Sequence, residues 1–349
     1  MIDRIVVLCR SLPARTKSSG ELRFAQILDH LRRRARELLV FTEMEMNRES
    51  FPHLPLYDMA SLEEKSRGAD LAFLEFWYMD RYLPILRRNE VPVILDSVDI
   101  EFLRRDRERR LLGLGPECYQ VEKARESAVY READQVWAVS ADDVAQIAEL
   151  NSRITVVPNI FDPVEGVVPF AERQGVCFVG SYSHQPNVDG LRWYRDAVLP
   201  RVQHIPHTII GHDAPDDIRA LPGFVGGVAC SVDYVRRARV SIAPLRYGAG
   251  LKGKVLEAMA CGTPVVTTPI GDDGYAAGAG RAAIVTDDPL AFAVAIERLH
   301  TEQELWETIS RNGRALAARY APAVVGPVMD AALAEVLTRR AAQRSRATR

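Results

Sequence analysis

Short apolar runs alternate with longer amphipathic stretches along the first half of the chain. The runs are rich in β-branched residues, as strands are, and they occupy residues 4–9, 38–42, 70–76, 92–96, 135–140 and 154–158. Between them, apolar residues recur every three or four positions over residues 22–35 and again over 117–133, as on one face of a helix. Strands that alternate with helices predict a parallel sheet covered on both faces. We therefore predict an α/β, doubly wound, Rossmann-like domain over residues 1–162.

The alternation stops at a loop and then begins again. Residues 161–174 are rich in loop-forming residues, and new apolar runs follow at 176–180, 208–211, 240–244, 264–268 and 282–286. This pattern predicts a second doubly wound domain over residues 170–320. The carboxyl ends of both sheets are expected to face one cleft. A helix at about 321–340 can pack back on the first domain, and the arginine-rich residues at its end are expected to fray.

Length and composition agree with two domains and exclude some partners. The 349 residues, 47% of them hydrophobic, exceed the size at which a single core stops growing. A net charge of −2 offers nucleic acid no overall attraction, so we expect no nucleic-acid partner. The apolar runs are too short for a secretory signal or a membrane span, which predicts a cytoplasmic protein. Five cysteines without CxxC spacing argue against both a disulfide framework and zinc.

The segment 240–275 carries the clearest candidate chemistry, because it combines a strand, a glycine loop, a helix and another strand. Gly248 and Gly250 let the backbone approach a ligand closely, and the helix that follows points its positive end at the loop. A phosphate site is therefore expected there. The side chains that add positive charge, enough to neutralise a departing diphosphate, are Arg246, Lys252 and Lys254.

Two features of this segment have more than one interpretation. The loop spells Gly-x-Gly-x-x-Gly, the dinucleotide fingerprint, but that fingerprint normally opens the first unit of its domain and lacks the two lysines found here. A nicotinamide cofactor is therefore the less favoured interpretation. Glu257, in the first half of the helix, is placed to accept hydrogen bonds from ribose hydroxyls, although a simple stabilising effect on the helix is the alternative.

The sequence Glu-Ala-Met-Ala-Cys-Gly-Thr-Pro-Val-Val of 257–266 resembles the signature of the retaining group 1, family 4 glycosyltransferases. Other segments are similar to that family in the same order over about residues 1–320. They are Ser-Ser-Gly-Glu-Leu-Arg at 18–23, Ala-Val-Ser at 138–140, Val-Val-Pro-Asn at 156–159 and Phe-Val-Gly-Ser-Tyr-Ser-His-Gln-Pro-Asn at 178–187. The resemblance implies a GT-B fold, whose second domain holds a nucleotide-diphosphate sugar and whose first domain holds an acceptor. It also implies transfer with retention, without a metal ion or other cofactor.

Candidate residues follow from the charges beside the glycine loop, from the resemblance and, for Asp99, from its place after the strand at 92–96. Arg246, Lys252 and Asp99 are the candidates for catalysis. The candidates for donor binding are Gly20, Gly180, Ser181, Val228, Gly248, Ala249, Gly250, Leu251, Lys254 and Glu257. Ala249 stands where the family often carries a glutamate that touches the donor sugar, so that contact is missing or is made by backbone amides and Lys252. A basic pair that often follows the strand at 176–180 is also absent.

Several of these assignments have a structural alternative. Asp99 contacts the donor sugar or an acceptor hydroxyl, or it serves only as the acidic start of a basic helix. Gly20, with Ser19, approaches the leaving phosphate or forms an ordinary loop, and Val228 contacts the base or is simply a strand residue. His184 is expected to be a solvated loop histidine.

The acceptor is expected to be a polysaccharide, a glycolipid or another carbohydrate. Acceptors in this family are often lipid-linked, so the arginine-rich stretches 32–36 and 104–110 either contact an anionic membrane or form solvated helix faces. Two alternatives remain open. One is another GT-B activity, such as a nucleotide-sugar epimerase or hydrolase, and the other is an inactive homologue that serves as a partner or scaffold.

Overall fold

The first domain is built on a seven-stranded sheet in which all strands are parallel. In the computed structural model, which describes residues 1–14 and 19–347, the strand order is β3-β2-β1-β4-β5-β6-β7. The strands are β1 Ile2–Cys9, β2 Ala35–Thr42, β3 Leu56–Asp58, β4 Leu71–Glu75, β5 Val93–Asp96, β6 Gln135–Ala138 and β7 Ile154–Val156. The central strand β1 is buried from Ile5 to Cys9 because helices cover both faces of the sheet.

The second domain repeats this architecture with a six-stranded parallel sheet of order β10-β9-β8-β11-β12-β13. Its strands are β8 Val176–Val179, β9 His207–Ile210, β10 Phe224–Gly226, β11 Val240–Ala243, β12 Val265–Thr267 and β13 Ile284–Val285. The order reverses direction beside the first strand of each sheet, at the β1/β4 boundary and at the β8/β11 boundary. Such a boundary is where α/β sheets open a crevice for ligands.

Helices connect successive strands and cover the sheets. They are α1 Ser19–Arg34, α2 Leu62–Lys65, α3 Leu83–Arg88, α4 Glu101–Leu112, α5 Glu117–Glu132, α6 Ala141–Ile147, α7 Gln185–Trp193, α8 Leu199–Val202, α9 Asp216–Arg219, α10 Val232–Arg237, α11 Gly253–Ala260, α12 Pro289–Thr301, α13 Gln303–Ala317 and α14 Pro322–Ala347. A π-helical turn, Tyr194–Val198, joins α7 to α8. The two doubly wound domains predicted from the hydrophobic pattern are both present.

The last helix, α14, lies against the first domain. Its buried residues Val325, Met329 and Leu333 belong to the same apolar cluster as Leu28 on α1. On the same helix, Asp330 accepts hydrogen bonds from His30 Nε2 at 2.8 Å and from Arg34 Nε at 2.7 Å. The expectation that the arginine-rich end frays is wrong, because α14 continues to Ala347 and the buried Arg340 donates to the carbonyl of Ala69 at 2.6 Å.

One segment differs from the expectation about membrane spans. Gln303–Arg346 is long and apolar enough, by length and composition, to cross a membrane, although the apolar runs in the sequence predict no such segment. The packing of α14 on the first domain accounts for part of this apolar character. Val324 and Val328 lie on its exposed side.

Candidate active site

The two domains approach each other most closely where the glycine loop meets α1. A Cβ atom on Gly253, the first residue of α11, would lie 1.9 Å from the Cβ of Ser19, the first residue of α1. The N-termini of these two helices therefore face each other across the cleft, and only glycine fits at position 253. Gly250 has a φ of +64° and passes so near the first domain that a Cβ would lie 3.0 Å from the Cβ of Asp99.

Hydrogen bonds from the first domain hold the glycine loop in place. Arg107 on α4 donates to the carbonyl of Gly248 at 2.7 Å and pairs with Asp273 at 2.5 Å. Asn159 Nδ2 lies 3.3 Å from the carbonyl oxygen of Leu251, to which it donates. The first domain therefore holds the glycine loop in place, although all residues of the loop belong to the second domain.

Lys252 lies at the centre of this contact and is 9% exposed. Its Nζ donates to the carbonyl of Ala249 at 3.0 Å and also to that of Gly250. Burial lowers the pKa of this ammonium group to about 8, and the nearby carboxylate of Asp273 opposes the effect. The structure therefore places a cation that titrates close to neutral pH inside the loop.

Lys254, on the first turn of α11, joins the loop to the first strand of its domain. Its Nζ donates to Oδ1 of Asn187 and lies 4.4 Å above the ring of Phe178. Burial, followed by the charge of Lys252, lowers the pKa of Lys254 to about 7. A Cβ on Gly180 would lie 3.1 Å from this Nζ, and the amide of Asn187 also donates to the carbonyl of Ser181 at 2.7 Å. Phe178, Gly180 and Asn187, all far from Lys254 in sequence, thus surround its amine.

Glu257 lies one turn further along α11 and is half-buried. Its carboxylate accepts a hydrogen bond from Ser231 Oγ at 2.7 Å. Burial raises its pKa, against the effects of that hydrogen bond and of Lys254. Val228 lies in the segment just before Ser231 and packs, partly buried, against the cluster that contains Ile210. Glu257 and Val228 are therefore components of the same wall of the second domain.

Arg246 has a partner that the sequence did not reveal. Its guanidinium forms a two-pronged pair with Asp189 on α7, with Nε at 2.9 Å from Oδ2. Asp189 cannot be recognised from the motif because it lies in another βα unit. The proposed phosphate role of Arg246 stays a prediction, and any such role must be shared with this pair.

His184 lies in a more charged environment than a solvated loop provides. The surrounding protein and then the cations of Lys254 and Arg104 lower its pKa to about 4. It is therefore neutral at neutral pH, although its ring is exposed to the cleft. Its position after the first strand of the second domain was the signal that could have identified it, because ligands bind at that edge of the sheet.

Asp99 and Gly20 lie on the opposite wall, in the first domain. A Cβ on Gly20 would lie 3.7 Å from Val98, and Asp99 itself adjoins Gly250. The Asp99 carboxylate is 3.6 Å from Nε of Arg104, and burial raises its pKa. Asp99 therefore faces the glycine loop and lies just before α4, whose N-cap is Ile100 and whose first acidic residue is Glu101.

No group of three or more His, Cys, Asp or Glu side chains in residues 1–14 and 19–347 is arranged to hold a metal ion.

Sequence comparison decides the family of the second domain. Residues 173–302 match the family model described as glycosyl transferases group 1. Over these residues the second domain is therefore similar to the group 1 glycosyltransferases. No curated protein matches the chain in sequence.

Solved structures decide the fold. Sucrose-phosphate synthase from Thermosynechococcus elongatus is 17% identical with a TM-score of 0.71, and the match covers 96% of this chain and 99% of that one. HepE from Anabaena, in complex with UDP-glucose, is 15% identical with a TM-score of 0.70 and the same coverage. WaaG, a glycosyltransferase involved in lipopolysaccharide biosynthesis, is 15% identical with a TM-score of 0.65, over 94% of this chain and 98% of that one. The predicted GT-B fold is therefore confirmed.

Proposed function

We propose that this protein transfers a sugar from a nucleotide-diphosphate sugar to a carbohydrate or lipid-linked acceptor, with retention and without a metal ion or other cofactor. The observation that carries the proposal is the pair Lys252 and Lys254. Lys252 ends the glycine loop immediately before α11, and Lys254 lies on the first turn of that helix, where the two domains of a GT-B fold meet. Two cations and a helix N-terminus suit a diphosphate better than any uncharged group.

The donor would lie along the wall of the second domain. The diphosphate is assigned to the two lysines and to the backbone beside Gly180 and Ser181. Glu257 is assigned to the ribose hydroxyls, because a half-buried carboxylate one turn further along α11 is within reach of the next part of the nucleotide. Val228 is assigned to the base.

The sugar and the reaction centre would lie at the glycine loop. The backbone of Gly248, Gly250 and Leu251 and the residue Ala249 are assigned to the sugar. In the reaction, the bond from the anomeric carbon to the diphosphate breaks, a bond to the acceptor oxygen forms on the same face, and the acceptor proton moves to a diphosphate oxygen. Lys252 and Arg246 stabilise the charge that develops on the diphosphate, and Asp99 faces the sugar from the other domain.

The structural neighbours support the choice of donor class. Anabaena HepE was solved with UDP-glucose, with UDP and glucose, and with UDP. A nucleotide sugar with a diphosphate bridge is therefore the donor class that we propose for the present chain.

We also propose a cytoplasmic location with peripheral contact to an anionic membrane. Leu111 and Leu112 at the end of the arginine-rich helix α4, and Leu114 just after it, are exposed, which places apolar surface beside basic side chains. Flotation with liposomes that contain or lack anionic lipid tests this contact. Failure to float at low salt contradicts it.

The first experiment is a thermal-shift screen of nucleoside diphosphates and their sugars. A ligand that binds only the folded state raises the melting temperature, so we expect one of the UDP, GDP, ADP or TDP series to stabilise the protein selectively. Stabilisation by NAD alone would overturn the assignment in favour of a dehydrogenase.

Turnover then separates the alternatives. Release of nucleoside diphosphate that requires an added acceptor supports a transferase, whereas rapid release without one supports a hydrolase or an epimerase. Binding without turnover supports an inactive homologue. Ala249 is the observation that favours the inactive homologue, since it offers the loop a carbonyl and no carboxylate.

A further inference from the structure

The first domain presents an unpaired carboxyl group to the cleft. Glu75 is the last residue of β4 and is in register with Asp96, the last residue of β5. Arg23 binds the Asp96 carboxylate through both terminal nitrogens, at 2.5 and 2.7 Å. The same guanidinium also donates to the carbonyls of Val157 at 2.7 Å and Pro158 at 3.2 Å. The guanidinium of Arg23 therefore donates its hydrogen bonds to other partners. Glu75 lies beside the Arg23–Asp96 ion pair but accepts no hydrogen bond from it.

Glu75 itself is poised to bind a ligand. Its side chain is partly exposed, and no residue in the described ranges, 1–14 and 19–347, hydrogen-bonds its carboxyl group. Burial, and then the negative charge of Asp96, raise its pKa to about 8, against the opposing effect of Arg23. At neutral pH this group is mostly a neutral acid, which has one O–H donor and one carbonyl acceptor. A sugar hydroxyl has the same two capacities.

Tyr78 adds a second hydroxyl to the same surface. Burial, and then the proximity of Glu75, raise the pKa of its phenol, and Asp99 adds to the effect. Tyr78 therefore stays protonated, and its ring packs edge-on against that of Phe76, the residue after Glu75, with the ring centroids 4.7 Å apart. Because Asp99 adjoins Gly250, the surface formed by Glu75, Tyr78 and Asp99 faces the glycine loop of the second domain.

Backbone strain marks the same edge of the sheet. Phe76, directly after Glu75, has a φ of +73°, and Val98, two residues after Asp96, has a φ of +56°. Such values are unfavourable for an aromatic and for a β-branched residue. Strained residues persist where the surrounding structure holds them, and they cluster at binding sites. The two strained residues follow neighbouring strands, β4 and β5. This observation does not depend on the charges of the nearby side chains.

We propose that Glu75 and Tyr78 form the acceptor site, in which Glu75 donates a hydrogen bond to a hydroxyl group of an uncharged sugar. This inference rests on the proposed function and adds to it the class of acceptor and the residues that recognise it. A site built to hydrogen-bond a hydroxyl discriminates strongly, because its own polar groups are left unpaired when the hydroxyl is absent. An acceptor with a phosphate or carboxylate at this point would meet the carboxyl groups of Glu75 and Asp99.

The test uses the full-length protein saturated with the nucleoside diphosphate that stabilises it. Binding of methyl glucoside, methyl galactoside, methyl mannoside, glucose 6-phosphate and glucuronate is measured by calorimetry at pH 6.5 and pH 9. We expect a neutral glycoside to bind at pH 6.5 and to lose affinity by about 10-fold at pH 9, where Glu75 has lost its proton and cannot donate.

Three variants separate Glu75 from other groups. Glu75→Gln, which keeps a donor and an acceptor but cannot ionise, should bind the glycoside at both pH values with an affinity near that of the wild type at pH 6.5. Glu75→Ala should lose about 10-fold in glycoside affinity, and Glu64→Ala, an exposed glutamate on α2, should lose none. Nucleotide affinity should be unchanged in all three variants, since none alters the lysine pair.

Several results would overturn the proposal. They are wild-type affinity in Glu75→Ala, wild-type pH dependence in Glu75→Gln, preference for the charged sugars, and no glycoside binding by the nucleotide-saturated wild type. If Glu75→Ala does not fold, the pH profile of Glu75→Gln decides. Failure of nucleotide binding is a different result, which removes the proposed function itself before the acceptor is added.

Discussion

The two walls of the cleft have the same architecture and opposite chemistry. Each is the carboxyl edge of a parallel, doubly wound sheet, yet the second domain presents Lys252 and Lys254, whereas the first presents Glu75 and Asp99. The fold therefore decides where ligands bind, and the side chains at the strand ends decide which ligands. We therefore assign a diphosphate to the basic wall and hydroxyl groups to the acidic wall, as proposed above.

Burial has the same consequence on both walls, although the charges differ in sign. It lowers the pKa of the two lysines to about 8 and about 7, and it raises that of Glu75 to about 8. All three groups therefore change protonation close to neutral pH. We expect each to gain or lose its charge easily when a ligand enters.

The largest effect should come from breaking the ion pair beneath the acidic wall. Arg23→Met leaves the buried Asp96 without its partner, which should lower the free energy of unfolding of the first domain by about 3–5 kcal/mol. Urea unfolding measures the change. Arg4→Met, which breaks the exposed pair with Glu37, is the matched control and should cost at most about 1 kcal/mol. Equal losses in the two variants would show that the buried pair has no special role.

The next effect tests the basic wall. Lys252→Ala removes a buried ammonium from the proposed diphosphate site and should weaken nucleoside diphosphate binding by about 100-fold, as expected for a charge-assisted hydrogen bond. Titration calorimetry measures it, with Lys65→Ala on α2 as the control. Unchanged affinity in Lys252→Ala, together with unchanged affinity in the Glu257 variant below, would remove the site assignment.

The pH dependence of donor binding sharpens the comparison. Lys254 and Lys252 are cationic below their pKa values of about 7 and about 8, and they lose the proton, and with it the attraction for phosphate, as the pH rises through that window. Nucleoside diphosphate affinity should therefore fall by about 10-fold between pH 7 and pH 9. Lys254→Met should show a weaker dependence. A flat profile in the wild type would mean that neither lysine titrates in this range.

The smallest effect should come from Glu257. Removal of the ribose contact in Glu257→Ala should weaken nucleotide binding by about 5-fold, as expected for the loss of one hydrogen bond. Calorimetry with the nucleoside diphosphate and with inorganic pyrophosphate tests the contact between Glu257 and the ribose, because pyrophosphate lacks the ribose. Glu304→Ala, an exposed glutamate on α13, is the control. Equal weakening for both ligands would indicate an effect on the phosphate site instead.

Most strands could be predicted from the hydrophobic pattern, and the exceptions have a physical reason. The runs at 4–9 and 176–180 correspond to β1 and β8, the buried first strands of the two sheets. The pattern missed β3 and β10, which are edge strands of three residues each. Their residues, Leu-Tyr-Asp at 56–58 and Phe-Val-Gly at 224–226, form no unbroken β-branched run, whereas the equally short edge strand β7 was predicted because Ile-Thr-Val-Val at 154–157 is such a run.

The residues of the candidate site also fall into two groups, those that could be found from the sequence and those that could not. The lysines and Glu257 were found because one continuous segment, from the glycine loop into α11, carries them all. Glu75, the surroundings of His184 and the partner of Arg246 were missed, since each depends on which strand ends and loops become neighbours. Nothing in the residues around 75 or 189 distinguishes them from ordinary acidic side chains.

The sequence by itself determined the two α/β domains, the glycine loop before α11 and the match of residues 173–302 to group 1 glycosyltransferases, because periodicity and short motifs are local properties of the chain. Only the tertiary structure decided which charges meet. The order of strands in the first sheet places Glu75 beside the Asp96–Arg23 pair, and the approach of the domains places Asp99 beside Gly250. Burial, which sets the pKa of a side chain, is a property of everything packed around it, and no short stretch of sequence contains that information.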